Sequence, residues 1–349
     1  MTTSSTALAL PVPDEELASR LRERMAVVER ALSEHVRSRA PFITETASHL
    51  MEAGGKRFRP LLVLLAAEAG DRPESDEVVT AACVVELTHL ASLYHDDVMD
   101  EADLRRGATT AHSRWGNHVA ILTGDFLFSK SSELTAELGA DAVRIQAQTF
   151  TRLVEGQILE TVAPGPGEDP LAHYLDVVAG KTGSLIATSA RYGARFGGAT
   201  PDVEEALTAY GEIVGSAFQL SDDILDIASE SDESGKVPGT DLREGVPTLP
   251  VLMARAAGDP ADARLIELLD GDLTDDARHA EALDLLRKHP SLDQARAYVV
   301  ARAPGDDDLR LAQQERRAAV VFGLKRLDFG AQPRFVFSGP RPRPHQQDR

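Results

Sequence analysis

The stretch VVELTHLASLYHDDVMD, residues 84–100, continues an apolar run that begins at Val78. Its apolar side chains fall on every side of an α-helix, which is typical of a helix at the centre of a large helical protein. The stretch ends in carboxylates, and at about 100° per residue Asp96 and Asp100 lie one above the other, with Asp97 beside them. Carboxylates at a helix C-terminus oppose the helix dipole, so they need a positive partner unless they are simply solvated.

A second stretch, SAFQLSDDILD at residues 216–226, repeats the Asp-Asp-x-x-Asp spacing after another apolar run. Carboxylates about 7 Å apart repel by roughly 2 kcal/mol per pair at an effective dielectric constant near 20, so the two groups together require cations. All the ligands are hard oxygens without a His/Cys set, which selects Mg²⁺ or Mn²⁺. The predicted metal ligands are Asp96, Asp97, Asp100, Asp222, Asp223 and Asp226.

Composition limits the fold class, the partners and the cellular location that the protein can have. Aromatic residues make up 5% of the 349 residues, and the chain is rich in helix-forming residues, which favours an all-α fold. A net charge of −19 argues against nucleic acid or an anionic membrane as a general partner. The single cysteine, Cys83, excludes a disulfide framework, and no segment has the uninterrupted apolar length of a membrane span, so we expect a cytoplasmic protein.

The chain divides into three parts by composition. We expect a disordered N-terminus at residues 1–14, one all-α domain over 15–302, and an atypical C-terminal extension over 303–349 that is disordered from about residue 328. Within the domain, helical periodicity predicts long helices. They cover residues 17–36, 112–139, 142–161, 171–196 and 203–226.

Basic residues precede or follow several of these helices. The turn GGKRFRP, residues 54–60, places Lys56, Arg57 and Arg59 at a helix N-terminus, which is either an anion site or ordinary turn chemistry. Arg105 and Arg106 follow the first acidic group and suit either phosphate binding or compensation of a helix end.

Two further segments carry unusual residues. The sequence AGKTG, residues 179–183, puts two glycines inside a helix, which indicates a kink toward the site or close helix packing. The turn-rich segment 229–245 contains Lys236 and can fold over the site.

Together these motifs resemble those of the trans-isoprenyl diphosphate synthases, the polyprenyl synthases. The resemblance runs from about Glu15 to Val300 and rests on GGKRFRP, both Asp-rich motifs, the arginine pair, Lys181-Thr182, Phe218-Gln219 and Gly235-Lys236. It implies a bundle of long helices around a deep central cavity, a homodimer, and head-to-tail joining of an allylic diphosphate to isopentenyl diphosphate. It also implies a product that is delivered to membranes.

The resemblance implies a role for each matching residue. Catalytic roles fall on Asp96, Asp97, Asp100, Lys181, Thr182, Gln219, Asp222 and Asp223. Substrate binding falls on Lys56, Arg59, His89, Arg105, Arg106, Lys181, Gln219 and Lys236, with Arg57 set aside. For His89 the competing interpretation is a histidine satisfied within the core.

Two departures and three rivals remain. Val246 stands where many relatives have lysine, so one diphosphate contact is missing or is supplied by Arg243, and the chain after about Ala303 does not resemble the family's helical C-terminus.

A terpene cyclase would replace the second motif with an Asn/Ser/Glu pattern. An HD-type phosphohydrolase could use His95-Asp96 but leaves the other groups unexplained, and a regulatory subunit of a two-component synthase would lack the acidic motifs.

Chain length is predicted from the residues before the first acidic motif. Ala91 and Ser92 precede Asp96 by five and four positions and are small. Thr88, one turn earlier in the helix and further from the acidic motif, is also not bulky. A helical turn of about 5.4 Å matches roughly one isoprene unit, so the open turns predict a long-chain product beyond the farnesyl and geranylgeranyl lengths. The alternative is that these residues are small only to let helices pack.

Overall fold

The computed structural model describes residues 14–229 and 238–302. Within these ranges the protein is helical apart from one short hairpin, which confirms the all-α class. The first ten helices, α1 to α10 in chain order, are Glu15–His35, Pro41–Glu52, Phe58–Ala67, Asp76–Met99, Ala111–Trp115, Asn117–Glu137, Ala140–Glu160, Pro170–Val178, Ser184–Phe196 and Pro201–Ala228. The later helices, α11 to α15, are Thr240–Arg243, Leu249–Ala257, Ala263–Leu269, Asp276–Lys288 and Pro290–Arg302. The antiparallel strands β1 and β2 are Leu104–Arg105 and Ala108–Thr109.

The described chain forms two compact units, residues 14–217 and residues 218–302 without the segment 230–237. The first unit contains α1 to α9 and the greater part of α10. The expectation of one domain over 15–302 stays a prediction. The expectations for residues 1–13 and 303–349 lie outside the described residues.

Helix α4 is the central element of the first unit. It packs against α1, α3, α6 and α9, and the side chains from Val78 to Asp97 that lie within the core come from every side of the helix. Both of its ends reach the surface: Asp76 and Glu77 are exposed at the start, and Met99 is 55% exposed at the end. The apolar pattern of the sequence therefore produces a core helix that delivers its C-terminal carboxylates to the edge of that core.

Helices α3 and α9, which both pack against α4, also approach each other closely. From Pro60 to Ala67 every residue of α3 is buried. A Cβ atom on Gly193 of α9 would lie 2.2 Å from the carbonyl oxygen of Val63, so only glycine allows this approach. The contact fixes the position of α3, and with it the basic turn that precedes α3.

The sequence places most helix boundaries within a few residues, and it is wrong at one. The predicted helix over 112–139 is broken at Gly116, whose φ of 86° separates α5 from α6. The predicted kink at 179–183 is present as one turn of π-helix, Ala179–Gly183, between α8 and α9. A Cβ atom on Gly180 would lie 2.9 Å from the carbonyl oxygen of Arg152, so close helix packing accompanies the kink.

Helix α4 also has the length and apolar composition of a membrane span. However, 67% of its most apolar window is buried inside the protein, as in any core helix. Among the residues that the structure describes, no other helix passes the same test.

Candidate active site

The first part of the site is the turn between α2 and α3. Gly54 and Gly55 have φ values of 102° and 147°, and Arg57 has a φ of 49°. A Cβ atom on Gly55 would lie 2.7 Å from Nη1 of Arg106, so the glycine makes room for that guanidinium. Nη1 of Arg106 donates to the carbonyl oxygens of Leu50, at 3.1 Å, and of Gly54.

Arg57 points away from this surface into the protein. Its Nε donates to Glu29 at 2.7 Å, its Nη1 to Glu86 at 3.1 Å, and its Nη2 to the carbonyl oxygen of Met51 at 2.9 Å. The Arg57 side chain is 8% exposed and that of Glu86 is 2% exposed. Burial lowers the pKa of Arg57, but Glu86 and Glu29 together raise it above its usual value. Setting Arg57 aside as a substrate ligand therefore agrees with its position.

We use the name basic cluster for Lys56, Arg59, His89 and Arg106. Burial lowers the pKa of Arg59 to about 10, with Glu86 raising it and Arg106 lowering it. The buried Nε of Arg59 has no hydrogen-bond partner among the described residues. A buried guanidinium donor without an acceptor is costly, so this atom is suited to an anionic ligand.

His89 lies beside these arginines on α4. Burial lowers its pKa well below the usual value, and the charges of Arg59 and Arg106 lower it further. The ring is therefore neutral at physiological pH, and it can donate or accept a hydrogen bond without adding charge. The structure thus brings His89 to the basic cluster, in addition to placing it on an apolar helix.

We use the name acidic cluster for Asp96, Asp97 and Asp100 at the end of α4. Oδ1 of Asp97 accepts a hydrogen bond of 2.6 Å from Nε of Arg105, and Nη2 of Arg105 lies 3.7 Å from Oδ2 of Asp100. Oδ2 of Asp97 is buried and has no hydrogen-bond partner within the described ranges. Burial raises the pKa of Asp97, and the hydrogen bond from Arg105 opposes this.

Asp96 extends the acidic cluster toward the π-helical turn. Burial raises its pKa to about 6; Lys181 lowers it and Asp100 raises it. Nζ of Lys181 lies 2.6 Å from Oε2 of Glu160 at the end of α7. The structure therefore brings Lys181 near the first acidic motif, together with Glu160, a carboxylate that the sequence analysis missed. In the sequence, Gln157 and Glu160 look like an ordinary polar pair on an amphipathic helix, so nothing in the sequence pattern marked Glu160 as a site residue.

Within residues 14–229 and 238–302, no three His, Cys, Asp or Glu side chains converge closely enough to enclose a metal ion. The donors of the acidic cluster are nevertheless hard oxygens, and the unpartnered Oδ2 of Asp97 is an acceptor that a cation would satisfy. The residues fit a cation that takes part of its coordination from water and phosphate, as Mg²⁺ usually does.

The adjacent residues Arg105 and Arg106 connect the two clusters. Arg105 pairs with Asp97, whereas Arg106 donates to carbonyl oxygens at the end of α2 and in the α2–α3 turn. Their side chains diverge in the turn between β1 and β2, where Arg106 has a φ of 56°. The hairpin therefore places the acidic and basic clusters side by side in the first unit.

The predicted chain-length residues lie below the acidic cluster. Ala91 is fully buried, and its carbonyl oxygen would lie 3.1 Å from a Cβ atom on Gly124 of α6. Ser92 is half-buried, and its hydroxyl donates to the carbonyl oxygen of His89 at 2.9 Å. Close packing between α4 and α6 thus accounts for some of the small residues, while the chain-length role stays a prediction.

Thr88 belongs to a buried polar layer. Its Oγ1 donates to the carbonyl oxygen of Val84 at 2.8 Å, lies 2.8 Å from Oγ of Ser131, and accepts from Nε2 of Gln146 at 2.7 Å. The sequence analysis considered Thr88 only for its size, because the partners on α6 and α7 are distant in sequence.

The second Asp-rich motif lies in the second unit. Asp222 is exposed, whereas Asp223 is buried and accepts a hydrogen bond of 2.9 Å from Nε2 of Gln219. Oxygens of Asp226 accept from the backbone N–H groups of Thr240 at 3.3 Å and Asp241 at 3.2 Å. Asp226 therefore holds the start of α11, and a metal would compete with these hydrogen bonds.

Three remaining predicted residues have separate outcomes. Lys236 lies outside the described residues, and Thr182 is buried in the π-helical turn. Arg243 donates to the carbonyl oxygen of Thr274 at 2.9 Å and pairs with Asp276 at 2.9 Å, so its guanidinium is committed within the second unit. That placement disfavours Arg243 as the substitute for the lysine replaced by Val246.

Two further observations in the first unit concern the HD-type alternative and the predicted cavity. Nε2 of His95 lies 3.1 Å from the carbonyl oxygen of Ile121, so the ring packs on α6 rather than joining Asp96 as the HD-type alternative requires. A cavity of about 430 Å³ lies between α7, α9 and α10, lined mainly by polar residues such as Thr149, Arg152 and Glu212. None of the predicted site residues lines it, and the predicted central cavity stays a prediction.

Comparison with known proteins supports the same family. Residues 40–286 match the family model described as polyprenyl synthetase. The chain is 49% identical over 304 residues to the nonaprenyl diphosphate synthase of Mycobacterium tuberculosis, covering 87% of this chain and 91% of the relative.

Two solved structures share the fold. The geranylgeranyl pyrophosphate synthase of Corynebacterium glutamicum, complexed with calcium and isoprenyl diphosphate, has a TM-score of 0.77 and 43% identity, covering 90% of this chain and 99% of that one. A decaprenyl diphosphate synthase from Rhodobacter capsulatus has a TM-score of 0.78 and 35% identity, covering 89% and 97%. The sequence-based assignment is confirmed, and this chain belongs to the polyprenyl synthetase family of prenyltransferases.

Proposed function

We propose that the protein condenses isopentenyl diphosphate with an allylic diphosphate, head to tail, and releases pyrophosphate and a long-chain all-trans polyprenyl diphosphate. The observation that carries this proposal is the β1–β2 hairpin, whose adjacent arginines join an acidic and a basic cluster. Two diphosphates with different requirements would bind next to each other there, one through cations and one directly.

The allylic diphosphate is assigned to the acidic cluster. Asp96, Asp97 and Asp100, with Asp222, Asp223 and Asp226 from the second motif, would hold Mg²⁺ or Mn²⁺. When bound, these cations neutralise the leaving diphosphate by Lewis-acid interaction. A Corynebacterium relative complexed with calcium and isoprenyl diphosphate supports a divalent metal. Arg105, Lys181 and Lys236 would add positive charge around the same leaving group.

Isopentenyl diphosphate is assigned to the basic cluster. Lys56, Arg59 and Arg106 supply fixed positive charge, and the unpartnered Nε of Arg59 is a buried donor that a phosphate oxygen would satisfy. Neutral His89 adds a hydrogen bond without adding repulsion to the arginines. No metal is required at this cluster because its own side chains supply the opposite charge.

The reaction steps follow from this arrangement. The allylic carbon–oxygen bond breaks, and the bonding electrons leave with the diphosphate. The double bond of isopentenyl diphosphate attacks the allylic carbon and forms the new carbon–carbon bond. Oxygen dipoles of Thr182 and Gln219 would face the allylic cation, and the departing pyrophosphate would take the proton whose loss restores the double bond.

The long-chain product is supported by small residues at positions 91 and 92 and by relatives named nonaprenyl and octaprenyl diphosphate synthases. A geranylgeranyl-length product is the second candidate, because solved relatives carry that name. A homodimer, a cytoplasmic location and delivery of the product to a membrane belong to the same proposal.

The test is incubation of the purified protein with labelled isopentenyl diphosphate, an allylic primer and Mg²⁺, followed by chromatography of the dephosphorylated products. We expect products well beyond twenty carbons. Products that stop at fifteen or twenty carbons would move the assignment to a short-chain synthase. Cyclic hydrocarbon products would instead indicate a terpene cyclase, and absence of condensation would contradict the proposal.

A further inference from the structure

We infer that Glu86 and Arg57 are positioning residues for isopentenyl diphosphate, because they hold the turn on which the basic cluster is built. Neither side chain is assigned to contact the substrate. The inference rests on the proposed function for the identity of the ligand, but the geometry on which it stands belongs to the chain itself.

Glu86 is an isolated carboxylate inside the core. It lies on α4 in an otherwise apolar segment, and its side chain is 2% exposed. A buried carboxylate is strongly unfavourable unless it is paired, so its partner at 3.1 Å, Nη1 of Arg57, is essential to it. Glu86 also lies one helical turn before His89, so it faces the same region of the protein.

Arg57, paired with this buried carboxylate, holds the backbone of the α2–α3 turn in place. Besides Glu86, its guanidinium reaches Glu29 on α1, at 2.7 Å, and the carbonyl oxygens of Met51 and Gly54, at 2.9 and 3.4 Å. Its own φ of 49° is unfavourable for a side-chain-bearing residue, so these contacts must offset that cost. One planar guanidinium therefore ties α1, α4 and the α2–α3 turn together.

The α2–α3 turn, once held in place, orients the arginines that are assigned to bind the substrate. The carbonyl oxygen of Gly54 accepts from both Arg57 and Arg106, and that of Leu50 accepts from Arg106 at 3.1 Å. Arg59 follows Arg57 by two residues at the start of α3. If the guanidinium of Arg57 no longer holds the turn, the acceptors that orient Arg106 move with it.

Charge balance supports the same role. Three arginines and a histidine crowd together here, and Glu86 raises the pKa of Arg57, Arg59 and Arg106 against the opposing effect of burial. Glu86 thus offsets part of the repulsion among these positive charges before an anion arrives. Glu29 shares this task only for Arg57, and it is 39% exposed.

The main test is Arg57→Lys, which keeps the charge but removes the planar fork. We expect the KM for isopentenyl diphosphate to rise tenfold or more, while the KM for the allylic primer and kcat change less than threefold. Glu86→Gln, which keeps the shape of the side chain, should shift the same KM in the same direction and serves if Arg57→Lys fails to fold. Arg20→Lys is the matched control, because Arg20 pairs with Glu68 at 2.8 Å between α1 and the end of α3, apart from the basic cluster.

A double-mutant cycle separates positioning from direct binding. In an Arg106→Gln background, Arg57→Lys should raise the KM for isopentenyl diphosphate less than twofold further, because its effect passes through Arg106. Full additivity, equal losses for both substrates, or an effect on kcat alone would overturn the inference. An inactive wild-type protein would contradict the proposed function, whereas an active wild type with unshifted variants would contradict only the positioning role.

Discussion

The acidic and basic clusters lie side by side, yet they balance their charges in opposite ways. The basic cluster has internal counter-charges, because Glu86 is buried beneath it and the carbonyl oxygens of Leu50 and Gly54 accept from Arg106. The acidic cluster has Arg105 on Asp97, and Oδ2 of Asp97 remains without a partner in the described part of the chain. The basic cluster is prepared for an anion, whereas the acidic cluster keeps more negative than positive charge.

On the proposed assignment of the substrates, this difference would let one enzyme distinguish two diphosphates. A diphosphate can bind the basic cluster directly, and the fixed fork of donors then orients it. The same ligand is repelled by the acidic cluster unless cations are placed between the two. Metal dependence should therefore belong to the allylic substrate and not to isopentenyl diphosphate.

The largest expected effect comes from removing acidic residues. Asp96→Ala and Asp222→Ala should each lower kcat by roughly two orders of magnitude or more, because the leaving diphosphate loses its cations. Helical circular dichroism should be unchanged. Asp141→Ala, which removes exposed surface ion pairs with Arg144 and Arg195, is the control and should keep full activity. Wild-type rates in either acidic variant would contradict the metal assignment.

Metal removal tests the comparison directly. In the presence of a chelator, condensation should stop, while calorimetric binding of isopentenyl diphosphate should weaken less than threefold. Binding of a non-reactive allylic diphosphate analogue should fall at least tenfold under the same conditions. Equal metal dependence of both ligands would show that the two clusters do not divide the substrates as described.

A change of product length is expected below the acidic cluster. Ser92→Phe should shorten the product, because a ring at this half-buried position fills the predicted passage. Ala91→Phe is the less specific variant, since Ala91 is fully buried and overpacking costs about 1–3 kcal/mol. Product chromatography and thermal denaturation separate the two effects. An unchanged product from a stable Ser92→Phe protein would place the floor of the passage elsewhere.

The smallest effect concerns pH and His89. Because the pKa of His89 is lowered in the folded protein, the unfolded chain binds an additional proton below its usual pKa of about 6.5, and stability is lost as pH falls through that range. For one proton the slope is at most about 1.4 kcal/mol per pH unit. His89→Gln should remove this contribution, so denaturant unfolding at pH 5.5 and 7.5 should differ less for the variant than for the wild type. Identical pH dependence would mean that His89 is not held neutral.

The sequence determined the all-α class, the central helix and the residues at its end. These follow from local rules: an apolar pattern on every side of a helix requires burial, and Asp96, Asp97 and Asp100 share one edge because of helical periodicity. The glycine pair at 180 and 183 likewise indicated either a kink or close helix packing, and the structure has a π-helical turn there together with a close approach of Gly180 to α7. The break at Gly116 was missed, because one glycine in a periodic segment is compatible with a continuous helix.

Only the tertiary structure decided how the site is supported. Glu86 and Arg57 are 29 residues apart, Lys181 and Glu160 are 21 apart, and Thr88 meets Gln146 across 58 residues. Periodicity reports which face of a helix is buried, but not which side chain lies opposite it. A lone glutamate in an apolar run is a sign of a buried partner that the sequence analysis did not use, since glutamate is seldom buried unpaired. The identity of that partner depends on how α1, α3 and α4 pack, and packing is a property of the whole fold.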